Sequence, residues 1–144
     1  MPAWRAGWRG RPAKAGWPRR PARQDLGRAG EALAASHLED LGWEIVARNY
    51  RCREGEVDIV AVDAGVLAFV EVKTRHDARF GTPLEAVDGR KQRRMITAAR
   101  HFLAMHGGAG FVMRFDVIGI LWGEEAPRIE HVRNAFQLGD SWAP

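Results

Sequence analysis

Apolar positions recur at helical spacing over the first part of the folded region and then switch to alternation. Asp25 is placed as an N-cap, and Leu26, Gly30, Leu33, Ala34, His37, Leu38 and Leu41 fall on one helical stripe that Gly42 ends. Trp43 to Tyr50 then reads as a strand, followed by a polar turn through Arg51, Arg53, Glu54 and Gly55. Glu56 to Asp63 and Val66 to Lys73 read as two more strands joined by the tight turn Asp63-Ala64-Gly65. The second of these is nearly all apolar until its end, as a strand in the middle of a sheet is. Thr82-Pro83-Leu84-Glu85 has the form of a capping box with proline at the first helical position. A longer helix follows from about Gly89 to His106, with Met95, Ala98, Ala99, Phe102 and Leu103 on its apolar face and Gly107-Gly108 at its end. Phe111 to Trp122 and Arg128 to Phe136 complete the series as strands. The order α-β-β-β-α-β-β predicts an α/β domain, one mixed β-sheet flanked by helices.

Composition adjusts this picture at the N-terminus. The chain has 144 residues and a formal charge of +4, but seven of its 22 basic residues lie in residues 1–23, where there is no acid. The remaining 15 basic residues face 18 acidic ones over 24–144, a net of −3, so the basic character belongs to the tail. Pro2, Pro12, Pro18 and Pro21 forbid a stable helix there, and no apolar core follows the basic residues as an export signal requires. The expected organisation is a disordered basic tail over 1–23 and a single domain over 24–144. Trp4, Trp8 and Trp17 would let such a tail stack on bases while its arginines meet phosphates; the alternative is an extension without a role. A single cysteine, Cys52, excludes a disulfide framework and fits a reducing cytoplasm. No apolar run approaches the roughly 18 residues of a membrane-spanning helix, and no membrane role is expected.

The candidate chemistry lies in acids that interrupt apolar strands. Val57-Asp58-Ile59-Val60 and Val70-Glu71-Val72-Lys73 each place a carboxylate where burial without a partner is costly. Alternation puts Glu71 and Lys73 on one face of their strand. Pairing symmetrically about Ala64 sets Asp58 opposite Val70, and a shift of one sets it opposite Glu71. Three outcomes stand open: a salt-bridged cluster with Lys73 and an arginine, a general acid/base pair, or a hard-cation site in which two carboxylates hold Mg²⁺. Lys73 suits the third, because a cation beside a metal stabilises charge on a phosphoryl oxygen.

Asp58…Glu71-Val72-Lys73, with twelve residues between the acids, resembles the (P)D…(D/E)xK signature of restriction-endonuclease-like nucleases. Gly27…Gly30-Glu31, Arg48-Asn49, Gly55-Glu56-Val57-Asp58, Phe69-Val70-Glu71-Val72-Lys73-Thr74-Arg75, Phe80-Gly81 and Phe115-Asp116-Val117 look like the bacterial YraN family, over roughly residues 24–136. Members of that family are predicted endonuclease-fold proteins similar to archaeal Holliday-junction resolvases. The resemblance implies a restriction-endonuclease-like fold and a Mg²⁺- or Mn²⁺-dependent nuclease. In it Asp58 and Glu71 are metal ligands, the Val72 carbonyl a further ligand and Lys73 the catalytic cation. Glu31 takes the place of the helix glutamate that joins the metal site in resolvase-like members. DNA, branched DNA included, is the implied substrate. Val57 replaces the motif's proline, which shapes the backbone and ligates nothing.

Around these residues, Arg75, Arg90, Lys91 and Arg94 are candidate phosphate contacts, with Arg90 and Arg94 one turn apart on the long helix. Glu56 is a secondary acid near the site, and Asp116 is expected to partner a buried arginine or lysine. The five histidines show no pair at metal-ligand spacing, and Cys52 is read as inert. A homodimer would serve two symmetric cuts. The rival expectations are a nucleic-acid-binding protein on a nuclease fold that does not cut, and a phosphohydrolase acting on a small substrate.

Overall fold

Among the described residues five strands lie side by side in chain order, and two helices cover opposite faces of the sheet they form. The computed structural model describes residues 21–22, 25–76, 81–107, 112–124 and 126–138. Apart from residues 21–22, the expected basic tail lies outside the described residues, as do Phe80, Gly108 and Phe111. The elements are α1 (Leu26–Asp40), β1 (Glu44–Cys52), β2 (Gly55–Asp63), β3 (Val66–Arg75), a 3₁₀ turn (Leu84–Ala86), α2 (Gly89–His106), β4 (Val112–Leu121) and β5 (Arg128–Phe136). β3 and β4 run parallel through all ten of their pairs, from Val66↔Val112 to Arg75↔Leu121, and every other neighbouring pair is antiparallel. The mixed α/β order is the one expected. Among the described residues no helix is long and apolar enough to cross a membrane.

Alternation along the strands, with a slip at Asp58 in β2, divides the core in two. Leu33, Ala34 and Leu38 of α1 pack with Ile59, Ala61, Val70, Val72, Ile118, Ile120 and Trp122 on one face. Met95, Ala98, Ala99 and Phe102 of α2 pack with Val57, Val60, Leu67, Phe69, Phe115 and Val117 on the other. The hairpin between β2 and β3 turns on Ala64 and Gly65, whose φ values of 47° and 85° are those of a two-residue turn matched to strand twist. That turn sets the register. Ile59 faces Val70 and Asp63 faces Val66, so Asp58 falls in line with Glu71, the second of the two registers considered.

Two local expectations need correction. Asp25 stands at the N-cap of α1 but its side chain makes no capping hydrogen bond, because its backbone (φ −101°, ψ 0°) is helical rather than extended. The Thr82–Glu85 box does form, with Thr82 N–H donating to Glu85 Oε2 and Glu85 N–H to Thr82 Oγ1, both at 3.3 Å. It caps a single 3₁₀ turn, however, and Val87 (φ −107°, ψ 85°) breaks the helix there. α2 begins afresh at Asp88, whose carboxylate accepts from Lys91 N–H at 2.9 Å.

Candidate functional site

The β2–β3 ladder ends at Ile59↔Val70, one residue short of the two acids. In place of the next cross-strand pair, Val72 N–H donates to Asp58 Oδ2 at 2.7 Å. The β1–β2 ladder is interrupted at the same level. Arg48↔Ile59 and Tyr50↔Val57 pair, while Asn49 between them, opposite Asp58, adopts φ 51°. Asparagine is among the few non-glycine residues that tolerate this region. The break leaves Asp58 between acids from both layers. Glu31 of α1 meets Asp58 and Asn49, and Glu71 of β3 meets Asp58 and Lys91.

The electrostatics follow from that convergence. Glu71 is 6% exposed, and its carboxyl is pushed up to about 8 by burial first and by the Asp58 charge second, against the pull of Lys91. Its Oε1 lies 3.2 Å from Lys91 Nζ, whereas its Oε2 is buried with no hydrogen-bond partner. Burial and the neighbouring Asp58 also raise Glu31, with Asn49 and Arg48 pulling the other way. Lys91 Nζ bridges Glu71 and Glu56, standing 2.9 Å from Glu56 Oε1, and Arg94 reaches the same oxygen at 3.4 Å. Those cations, the Lys91 hydrogen bond foremost, hold Glu56 below the usual carboxylate range despite some burial.

Of the expected site residues, then, the structure gathers Glu31, Asp58 and Glu71, and fixes Val72 beside them through its N–H. Lys73 shares the Glu71 face of β3 and is exposed; together with Arg75 it lines a neighbouring cavity of about 180 Å³. Arg90 is exposed on the first turn of α2. Lys91, expected among the phosphate contacts, is drawn inward onto the two glutamates. The helix rotation that buries Met95 and Ala98 sets this, and residue spacing alone does not reveal it. Asn49 was also missed as a site residue, although an asparagine inside a strand is a signal for positive φ.

Among the described residues no group of three or more His, Cys, Asp or Glu side chains forms a ready metal cage. The donors that could hold a cation are Asp58 and Glu71, with backbone oxygen and water completing the shell, the manner in which Mg²⁺ is usually bound. The orphaned Glu71 Oε2 and the mutual repulsion of Asp58 and Glu71 fit such an occupant.

Asp116 offers an internal contrast. It is fully buried, and its oxygens accept from Arg114 Nε at 2.8 Å, Arg114 Nη2 at 3.1 Å and Asn134 N–H at 3.0 Å, with His131 Nε2 at 2.9 Å. Burial raises its carboxyl, but His131, Arg114 and Asn134 outweigh burial and bring it below the usual range. Of the expected partners, a buried arginine or lysine, the structure supplies an arginine, Arg114, which is itself partly buried.

A family model described as uncharacterised protein family UPF0102 matches residues 30–120. The chain belongs to the UPF0102 family. A UPF0102 protein of Geobacter sulfurreducens is 53% identical over 114 residues, covering 78% of this chain and 89% of its own. One from Frankia casuarinae is 48% identical over 116 residues, 80% of this chain and 98% of its own, and one from Stutzerimonas stutzeri 44% identical over 115, 79% and 96%. The UPF0102 match includes Glu31, Asp58, Glu71, Lys73, Arg75 and the α2 cations, and excludes the basic tail. It bears out the resemblance at the level of family.

Proposed function

We propose that the protein is a metal-dependent nuclease on a restriction-endonuclease-like fold, hydrolysing phosphodiester bonds in nucleic acid, with DNA as the substrate. One observation carries the reading: two carboxylates in apolar strands meet at a break in the ladder, where one of them keeps a buried, unpartnered oxygen. A purely structural pair would be expected to satisfy that oxygen, as Asp116 does. Bound Mg²⁺ or Mn²⁺ would supply Lewis acidity and a more acidic water at neutral pH.

The chain's own contributions follow from position. Asp58, held by Val72 N–H, and Glu71, held by Lys91, would hold the cation, with the Val72 carbonyl as a further ligand and Glu31 to join them from beside Asp58. Lys73, two residues past Glu71 and in solvent, offers its ammonium to a phosphoryl oxygen. Arg75, Arg90 and Arg94 offer backbone contacts, which the domain needs locally because its net charge is negative. The free, partly buried Cys52 accords with a cytoplasmic setting, and paired cuts on a branched substrate would call for a homodimer.

The Lys91–Glu71 ion pair favours a second reading, a nucleic-acid-binding protein that does not cut, since it already neutralises part of the acid cluster. The deciding experiment is cleavage of labelled linear, flapped and four-way-junction DNA and of RNA with Mg²⁺, Mn²⁺ or EDTA, alongside Asp58→Asn and Lys73→Ala. Metal-dependent cutting lost in both variants supports the nuclease. No cutting, with wild type and variants binding DNA equally, overturns it in favour of the binding protein.

A further inference from the structure

Next to the acid cluster, the sheet builds a second feature that no catalytic role accounts for. The cavity of about 180 Å³ is lined by Lys73, Arg75, Thr82, Pro83, Arg128 and Glu130, with Gly119 and Leu121 in its floor. Strand register shows how the floor is made. One row across β3, β4 and β5 is Lys73–Gly119–Glu130, and the next is Arg75–Leu121–Arg128. A leucine thus sits between two arginines, beside a glycine set between a lysine and a glutamate. The glycine admits the wall: a Cβ at Gly119 would stand 2.0 Å from Pro83 Cγ, so only a residue without a side chain lets Pro83 pack there. The reciprocal Thr82–Glu85 hydrogen bonds then hold that wall in place. Among the described residues neither Lys73 nor Arg128 has a carboxylate within ion-pair distance.

An apolar floor, flat cationic flanks and one carboxylate acceptor make a different chemistry from a bare phosphate site, which needs donors alone. Leucine and proline faces suit the plane of a base, guanidinium groups suit both its edge and the adjoining phosphate, and Glu130 suits an exocyclic amino group. The volume is on the scale of a single base. Lys73 lies on both this cavity and the Glu71 face of β3, so the two features are contiguous. We propose that the cavity receives one unpaired nucleotide beside the reacting phosphate, so that the protein selects nucleic acid with a flap, bulge or single-stranded end over continuous duplex. This rests on the reading that the chain acts on nucleic acid, and it adds Arg128, Glu130 and Leu121 to the residues that determine specificity.

The test uses the full chain without metal, so that binding is read apart from cutting. A duplex carrying a one-nucleotide flap of 2-aminopurine is compared with the fully paired duplex by anisotropy and by 2-aminopurine fluorescence. Wild type should bind the flap about tenfold more tightly, the scale of one base stacked on protein, with a fluorescence change on binding. Leu121→Trp, which fills the cavity, should bring flap affinity down to the duplex value. Arg128→Gln, an exposed change that spares the core, should weaken flap binding and reduce the log–log salt slope by about 1. Equal wild-type affinity for both substrates overturns the proposal, as does an unchanged preference in a folded Arg128→Gln. A flap preference without metal-dependent cutting supports the cavity while overturning the nuclease reading. Cutting without the preference does the reverse.

Discussion

Gly30 and Thr74 decide how closely α1 approaches β3. A Cβ built on Gly30 would stand 1.7 Å from Thr74 Oγ1, 2.8 Å from Thr74 Cβ and 3.1 Å from Thr74 Cγ2. Turning Thr74 about χ1 moves the hydroxyl but leaves its Cβ in place, so rotation relieves only part of the overlap. Gly30→Ala must therefore shift the helix away from the strand, at the upper end of the about 1–3 kcal/mol that overpacking costs. Helix propensity returns about 1 kcal/mol, because alanine replaces glycine in a helix interior. The net expectation is a loss of about 2 kcal/mol, or roughly 6 °C in melting temperature for a domain of this size. The same shift draws the adjacent Glu31 from Asp58, so metal binding at the acid cluster should weaken with stability. Urea denaturation of the wild type, Gly30→Ala, Thr74→Ala and the double variant measures this as a cycle. Thr74 Oγ1 is buried without a hydrogen-bond partner, so Thr74→Ala alone should cost little. In its presence Gly30→Ala should recover about 1 kcal/mol or more as coupling. A Gly30→Ala protein as stable as the wild type, as propensity alone would demand, refutes the close-approach argument.

Three further outcomes follow from the same contacts. Asp58→Asn keeps an oxygen for Val72 N–H and removes a charge beside Glu71, so thermal stability without metal should hold or rise. Mn²⁺ affinity by calorimetry should meanwhile fall at least about 100-fold, given that even outer-shell partners cost 10- to 100-fold. Asp116→Asn breaks the pairing of a fully buried carboxylate with the partly buried Arg114 and His131, and should cost about 3–5 kcal/mol in denaturant titration; a loss below 1 kcal/mol would count against that network as a structural element. Burial first, then neighbouring His131, lowers His37 to about 4, so the folded state takes its proton less readily than the unfolded chain. The contribution is therefore present above about pH 6.5 and lost as pH falls toward 4, about 1 kcal/mol by pH 5 once partial solvent contact is allowed for. His37→Gln should flatten that part of the stability–pH curve, and an unchanged slope would sink the assignment.

Much of this architecture was legible because one physical signal repeats. Period-2 and period-3.6 apolar patterns located every element to within a residue or two, and a two-residue turn left only two registers for Asp58 and Glu71. The parallel β3–β4 ladder and the order of strands in the sheet arise from long-range packing, which a local pattern does not contain. The same limit explains Lys91. Its position on α2 was clear from spacing, but the rotation of that helix, set by Met95 and Ala98 against Val57 and Val60, brings it onto Glu71 and Glu56. Arg128 and Glu130 were invisible as site residues because register across three strands, and not sequence neighbourhood, puts them beside Lys73.

Glu71 and Asp116 look alike in the sequence, each an acid between apolar residues in a buried strand, and they face each other's neighbours across the β3–β4 ladder. Their surroundings separate them. Asp116 has an arginine, a histidine and a backbone N–H on its two oxygens and sits below the usual carboxylate range; Glu71 has one lysine, an adjacent carboxylate and an empty-handed oxygen, and sits well above it. A fold optimised for stability alone would treat both in the first way, because a buried acid left half-satisfied costs more than an apolar side chain in its place. The sheet also breaks its ladder at Asp58 and accepts a positive φ at Asn49 at the same level. The β4–β5 ladder is irregular at Asp116 as well, between Phe115 and Val117, but there Asn134, at φ 51°, turns its N–H onto the carboxylate, so what sets the Asp58–Glu71 pair apart is the buried oxygen left without a partner. A buried acid left short of partners is the mark of a site that gains from a further charged group. On that ground the Asp58–Glu71 pair, and not Asp116, is the place to look for chemistry.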